Sequence, residues 1–394
     1  MHDQEGLMRR VLELARHGQW RSSPNPLTGA LVVRDGRIIG EGHLNERGDH
    51  AEAVALDRAA AAGGAAGTTL YTNLEPCCWT GVGKHTPPCA QRIIREGVRR
   101  VVIATADPHP KVDGAGVRML REAGIEVIER VLEDEAARLN AVHFKFHRTG
   151  MPFVTLKVAQ SIDGRIATAG GDSRWISDRD ARVTTHELRS GHDAIMVGAG
   201  TAVADDPELT VRLSPLLRDR QPLPVVVDST LRLPPAARMM AGEREPLVLT
   251  TDRHDRHARA ALERAGARVA VVGSTADGRV ALDRALAALA GAGVTSVLIE
   301  GGAVLHTELI RQGLFDKLVV VVAPIVIGSG IEAVGDLGNA RLVDALRLER
   351  VSHRQVNDQV IVTGYRSLAA TLGHAGSGPL PRTESQEAGC SAVS

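Results

Sequence analysis

Short runs rich in Val and Ile alternate with Ala-rich or amphipathic stretches along nearly the whole chain, and that alternation constrains the fold most. Parallel strands must be joined through a crossover, usually a helix, so the pattern predicts layered α/β architecture. Leu7, Val11 and Leu14 share one helix face, and Gly18 ends it. Asp35-Gly36 between strands 30–33 and 37–42 marks a hairpin. An Ala-rich helix is expected over 50–62, then strand 68–73, helix 89–96, strand 100–104, helix 116–123 and strand 126–129.

Around 147–152 the pattern resets, with 148–152 as a connector. Strands follow at 153–158, 194–197, 223–227, 247–250, 268–272, 296–299 and 317–323, with helices at 178–189 and 282–290. This is a second α/β domain, expected to be mostly parallel. The 394 residues suit two domains. Only 2% are aromatic, so both cores must be built from Val, Leu, Ile and Ala. Residues from Leu368 onward are rich in Gly, Ser, Ala and Pro and are expected to be disordered. The two halves share no internal repeat.

Charge and cysteine usage narrow the function. The 47 basic residues are matched by 47 acidic ones. Nucleic-acid binders usually carry a basic excess, so no nucleic-acid partner is expected. The run 318–327 is interrupted by Pro324 and is far shorter than the ~20 residues of a membrane span, so no membrane association is expected. Asp3, Glu5, Arg9 and Arg10 leave no apolar region for a signal peptide, and a cytoplasmic location is expected. Cys77, Cys78 and Cys89 cluster while Cys390 lies near the end, which is no disulfide framework.

His50-Ala51-Glu52 opens a helix, Glu75-Pro76-Cys77-Cys78 follows, then Pro87-Pro88-Cys89. One imidazole and two thiolates make a three-ligand zinc site with a position left for water. Zinc lowers the pKa of that water, and Glu52 is placed to move protons without binding the metal. This is the layout of zinc deaminases. Two readings compete: a closed structural site using Cys78 or His85, and thiol redox chemistry at Cys77-Cys78, where a vicinal bridge would be strained.

Ser23-Pro24-Asn25-Pro26, His50-Ala51-Glu52, Asn73-Leu74-Glu75-Pro76-Cys77, Thr86-Pro87-Pro88-Cys89 and Asp107-Pro108-His109-Pro110 together resemble the bifunctional riboflavin-biosynthesis deaminase/reductase family. The resemblance covers about residues 5–366. It implies a cytidine-deaminase-like three-layer domain over 1–148, a dihydrofolate-reductase-like domain over 149–367 and a tail over 368–394. It implies deamination of 2,5-diamino-6-ribosylamino-4(3H)-pyrimidinone 5′-phosphate, then reduction of the ribosyl chain to ribityl with NADPH. By the resemblance His50, Cys77 and Cys89 bind Zn2+, Glu52 is the proton donor, Asn25 holds the pyrimidine and Lys84 approaches the phosphate. The family pattern departs at one place. Residues 78–88 form a longer insert than usual, with Cys78-Trp79 replacing Ser-His and His85 preceding Thr86.

The second half carries Ser161-Ile162-Asp163-Gly164-Arg165, Gly198-Ala199-Gly200-Thr201, Ala204-Asp205-Asp206-Pro207 and Glu300-Gly301-Gly302. Gly198-x-Gly200 lacks the third glycine of the dinucleotide fingerprint, so a Rossmann domain is not expected. Glu300-Gly301-Gly302 between a strand and a helix reads either as a phosphate-approach turn or as a plain βα turn. By the resemblance Gln160, Trp175, Thr201, Asp205, Ser229 and the turn residues Gly302, Ala303, Val304, Leu305, His306, Thr307 and Glu308 contact NADPH. Ser173, Arg189, Leu209, Arg212 and Glu300 would contact the phosphorylated ribosylaminopyrimidine. Arg189 and Arg212 suit a phosphate monoester chemically. Asp205 and Lys157 both remain open as proton donor of the reductive step. A homo-oligomer, dimer or tetramer, is expected. The alternative functions are a paralogue acting on a related pyrimidine, a nucleic-acid-editing deaminase and a nucleotide-binding pseudoenzyme.

Overall fold

The computed structural model describes residues 4–18, 23–45, 47–80, 87–213 and 221–372. The first half contains α1 (Gln4–Arg16), β1 (Gly29–Arg34), β2 (Arg37–His43), α2 (Ala51–Ala61), β3 (Thr69–Leu74), α3 (Cys89–Arg95), β4 (Arg100–Thr105), α4 (Ala115–Glu122), β5 (Glu126–Ile128), α5 (Glu133–Leu139) and α6 (Ala141–Thr149). Its sheet has the order β2-β1-β3-β4-β5. β1 is antiparallel to both neighbours, and β3, β4 and β5 run parallel.

Alternate residues of these strands feed two cores. Val32, Leu70, Val101 and Ile103 pack beneath Ala51, Ala55, Leu56, Ala90, Ile93 and Leu120 of α2, α3 and α4. Leu31, Val33, Tyr71, Val102 and Ala104 face Met8, Val11 and Leu12 of α1 and Ala136 of α5. The sheet is therefore covered on both faces, the expected three layers. Two glycines set how closely α2 lies on β2. A Cβ added at Gly40 would stand 2.1 Å from the Ala55 carbonyl oxygen, and one at Gly42 would stand 2.1 Å from that of Ala51. The short Ala side chains of α2 and the bare Gly backbone are two halves of one contact. It anchors the helix end next to His50.

The second half contains β6 (Phe153–Ser161), β7 (Arg165–Thr168), α7 (Arg179–Ser190), β8 (Ala194–Gly198), α8 (Ala199–Asp205), β9 (Leu223–Val227), β10 (Leu247–Thr250), α9 (Arg256–Arg264), β11 (Arg268–Val271), α10 (Leu282–Gly291), β12 (Ser296–Glu300), α11 (Ala303–Arg311), β13 (Lys317–Ala323), β14 (Gly330–Glu332), β15 (Glu349–Val356), β16 (Gln359–Tyr365) and α12 (Leu368–Leu372). Nine strands form one sheet, β11-β10-β9-β8-β12-β6-β13-β16-β15. It is parallel through β13, and β16 and β15 add an antiparallel edge. The parallel expectation holds, and the antiparallel edge is an addition. β7 and β14 pair separately.

The join differs from the expected connector. Residues 148 and 149 belong to α6, which ends at Gly150 in the left-handed region (φ 68°). Disorder from Leu368 also fails for its first residues. Leu368 and Leu372 of α12 are buried with Leu74, Ala137, Ala141, Phe144 and Phe153 in a cluster that spans the two halves. The apolar i, i+4 pair outweighs the small-residue composition there. Residues 373–394 lie outside the described residues. Lys145 of α6 pairs with Asp316, and the Ser23 hydroxyl donates to Asp193 (2.5 Å), so polar contacts also cross the seam.

Candidate active sites

Three chain segments converge in the first half. His50 is the extended residue that precedes α2 (φ −68°, ψ 148°). Cys77 follows β3, and Cys89 opens α3 after Pro88. The loop carrying Cys77 is pinned by Glu75, whose buried carboxylate accepts from the backbone N–H of Asp107 (3.3 Å), Gly114 (3.0 Å) and Val117 (3.1 Å). His50 Nδ1 stands 3.5 Å from Cys77 Sγ and 3.3 Å from Cys89 Sγ. All three ligand atoms lie within 4.8 Å of one another. Tetrahedral zinc, with Zn–N near 2.0 Å and Zn–S near 2.3 Å, requires N···S separations of about 3.5 Å. The trio fits such an ion with little adjustment.

The electrostatics agree with that fit. The hydrogen bond from Cys89 and the neighbouring His50 hold the Cys77 thiol down to about 3, against the effect of burial. The Cys89 backbone N–H also donates to Cys77 Sγ (3.3 Å). Glu52 is 4% exposed, and burial pushes its carboxyl up. Cys78 lies apart from the trio, with its Sγ 3.7 Å from the Lys111 carbonyl oxygen.

The surrounding polar shell was only partly legible. Asn73 and Asn140 both bond the Leu27 backbone and so fix the loop that bears Asn25. Asp107 accepts from His143 (2.8 Å), and His147 lies between His143 and His109 at ring distances of 4.5 and 4.6 Å. The Asp107 motif was visible in sequence, but its partner on α6 is 36 positions away. Lys84 and His85 lie outside the described residues.

In the second half, Glu300 at the end of β12 faces Lys157 of β6 in register. Arg189 of α7 grips the Glu300 carboxylate through Nε (2.7 Å) and Nη2 (2.8 Å), and its Nη1 donates to the Thr210 carbonyl (2.8 Å). Burial would raise the Glu300 carboxyl, but Arg189 and Lys157 hold it at about 2. Burial lowers the Lys157 ammonium, opposed by Glu300. His186 is held at about 3 by burial and the cations Arg189 and Arg212, and its Nδ1 accepts from the Arg212 N–H (3.1 Å). Arg189 is thus engaged with an internal carboxylate rather than standing open. Arg212 is the half-exposed guanidinium beside it.

The proposed cofactor residues divide sharply. Thr201 of α8 touches the 301–302 turn: a Cβ at Gly301 would meet Thr201 Cγ2 at 2.6 Å, and one at Gly302 its Oγ1 at 2.9 Å. Both glycines have positive φ (75° and 65°), which brings bare backbone to the start of α11. Leu305, His306 and Thr307 instead face inward, each at most 7% exposed. Thr307 Oγ1 donates to the Ala303 carbonyl and accepts from Gly335 N–H. Glu308 pairs with Arg311. Gly301, Gly302, Ala303 and Glu308 are partly exposed, and Val304 is exposed. Leu209 is a core residue, 1% exposed, so any ligand contact is through its backbone. Trp175 is 66% exposed under the Arg182 guanidinium (4.1 Å). The Ser229 hydroxyl accepts from Val280 N–H, and the Asp205 carbonyl accepts from Arg174. Gln160 lies on β6 opposite Val322, and Ser173 lies in the loop before α7. Among the described residues no helix is long and apolar enough to cross a membrane.

A His-Cys-Cys trio with both thiols buried, beside a buried glutamate, on a three-layer sheet joined to a largely parallel reductase-like sheet, defines a two-domain deaminase–reductase. Comparison with known proteins agrees. Residues 1–105 match the cytidine and deoxycytidylate deaminase zinc-binding region, and residues 152–362 match the RibD C-terminal domain. The riboflavin biosynthesis protein RibD of Aquifex aeolicus is 36% identical over 90% of this chain and 96% of its own. That of Bacillus amyloliquefaciens is 41% identical over 82% and 85%. The solved Acinetobacter baumannii RibD superposes with a TM-score of 0.80 at 33% identity, covering 92% of this chain and 98% of the other. A Thermotoga maritima diaminohydroxyphosphoribosylaminopyrimidine deaminase/5-amino-6-(5-phosphoribosylamino)uracil reductase does so at 0.77 and 34%, with the same coverage. The chain belongs to the RibD family and is a bifunctional enzyme of riboflavin biosynthesis, hydrolase and oxidoreductase in one polypeptide.

Proposed function

We propose that the chain deaminates 2,5-diamino-6-ribosylamino-4(3H)-pyrimidinone 5′-phosphate and then reduces the ribosyl group of the product to ribityl. Residues 1–148 carry the first step and 149–367 the second. The observation that carries the reading is the His50–Cys77–Cys89 trio, spaced for one tetrahedral ion, with Glu52 buried beside it.

His50, Cys77 and Cys89 would hold zinc, which supplies a Lewis acid that activates water at neutral pH. Glu52, its carboxyl raised by burial, takes the proton from water. It passes that proton to the ring nitrogen, takes the second proton of the added water from the new hydroxyl as the carbonyl forms, and gives it to the amino group, which leaves as ammonia. Asn25 holds the pyrimidine, on a loop fixed by Asn73 and Asn140.

For reduction, NADPH at the contact between Thr201 and the 301–302 turn would supply hydride to the ring-opened sugar. Arg212 offers its guanidinium to the substrate phosphate. Arg189 keeps Glu300 ionised and oriented, and Glu300 in turn keeps Lys157 in place. Lys157, an ammonium weakened by burial, is better suited than Asp205 to give up the proton that completes reduction. The preference for NADPH over NADH and the homo-oligomeric state belong to the same proposal. The test is to supply the diaminopyrimidine ribotide with and without NADPH and identify the products. Ammonia and the ribosylaminouracil are expected without NADPH, and the ribityl compound with it.

A further inference from the structure

The seam between the two halves carries a half-open cleft of about 540 Å³, within the range of small-molecule sites. Arg16 and Arg138 line it from the first half, Lys317 and Arg350 from the second. Glu135 is the only carboxylate residue among its described lining. None of His50, Glu52, Cys77 or Cys89 borders it. Neither Arg189 nor Glu300 lines it, although Leu188 and Gly191 beside Arg189 do; Glu300 stands four residues beyond the lining residue Ser296 on β12, about 13 Å at the usual strand rise.

Lys317 is the telling residue. It opens β13, in register with Thr155 of β6 and Tyr365 of β16, so its stem is flanked by strands on both sides. Its ammonium lies 5.8 Å from the Tyr365 ring. The neighbouring acid in sequence, Asp316, is fully engaged by Lys145, the Val154 N–H and the Thr371 hydroxyl. The Lys317 ammonium makes no hydrogen bond or ion pair among the described residues. Burial alone lowers its ammonium, with no carboxylate to oppose that. Lys157, two positions further along the same face of β6, shows the contrast, because Glu300 compensates it. A desolvated cation without a counter-ion is costly, and an arriving anion offsets that cost. Tyr365 adds an aromatic wall next to the cations.

We propose that the seam cleft is a binding site for a phosphate monoester of mononucleotide size, its phosphate on Lys317, Arg138 and Arg350 and its ring against Tyr365. Such a ligand draws cations from both halves and ties them together. Asn25 borders the same cleft, so the ligand sits against the loop that serves the deaminase.

The test titrates uridine 5′-monophosphate, ribose 5-phosphate and inorganic phosphate into the zinc-loaded, NADPH-saturated full chain. Amide hydrogen exchange is followed by mass spectrometry. Uridine 5′-monophosphate is expected to protect α5 and the start of β13. Lys317→Met and Arg138→Gln should each raise the concentration needed at least tenfold, with both catalytic activities retained. Should Lys317→Met fail to fold, Arg138→Gln, at the half-exposed rim, carries the comparison. Equal protection by inorganic phosphate would overturn the mononucleotide assignment. No seam protection by any of the three, or undiminished protection in the folded variants, would overturn the site itself.

Discussion

Replacing Glu300 with Gln removes the charge that holds Arg189 and faces Lys157, and the cost follows from the structure. The carboxylate is 13% exposed and makes two charge-assisted bonds to one guanidinium. Its pKa lies at about 2 rather than the ordinary 4.5. At 1.36 kcal/mol per pH unit that difference is worth about 3 kcal/mol. Breaking one side of a buried ion pair typically costs about 3–5 kcal/mol, which agrees. Because the folded carboxyl is depressed, the stabilisation is complete above about pH 4.5 and is lost as pH falls toward 2. Glu300→Gln should therefore lower the unfolding free energy of the reductase half by about 3 kcal/mol at pH 7. For a domain of this size that is a drop of roughly 6–12 °C in melting temperature. The gap to the unsubstituted protein should narrow as pH is lowered from 5 to 3. Urea and thermal melts across that pH series, with the reductase transition followed separately, make the comparison. A loss below about 1 kcal/mol, the value of a surface pair, would refute the reasoning. So would a loss that does not change with pH.

Other outcomes can be stated briefly. Cys78→Ser should retain one zinc per chain and deaminase activity, while Cys77→Ser should lose both; metal analysis with ammonia release checks this, and the reverse pattern would shift the site by one residue. Gly42→Ala should destabilise the deaminase half by about 1–3 kcal/mol, because the new Cβ meets the Ala51 carbonyl at 2.1 Å. It should also weaken zinc retention by displacing the helix end beside His50, as read by chelator competition. NADPH should exceed NADH in kcat/KM in steady-state assays, and equal efficiencies would contradict the cofactor assignment.

What the sequence revealed and what it hid have physical reasons. Buried parallel strands such as β9 and β10 are continuous apolar runs bounded by turn residues, and they were legible to the residue. β15 was not, since Glu349–Val356 is an exposed edge with no apolar alternation. α12 was hidden by its composition, although Leu368 and Leu372 close the seam. The clustering of His50, Cys77 and Cys89 was legible because each residue sits in a local motif. The Arg189–Glu300 pair was not, because its members are 111 positions apart. Likewise, the 302–308 turn looked uniform in sequence, whereas helix geometry buries Leu305, His306 and Thr307.

Glu52→Gln, assayed for both steps in one preparation, tests the central claim of two independent sites most directly. Ammonia release from the diaminopyrimidine ribotide should fall by at least ~10²-fold, the usual contribution of a positioned acid–base group. NADPH oxidation with the already deaminated substrate should stay within about twofold of the unsubstituted enzyme, since Glu52 lies in the first sheet's layer and the reductive residues on the second. Loss of both activities in a folded, zinc-loaded variant would contradict the account.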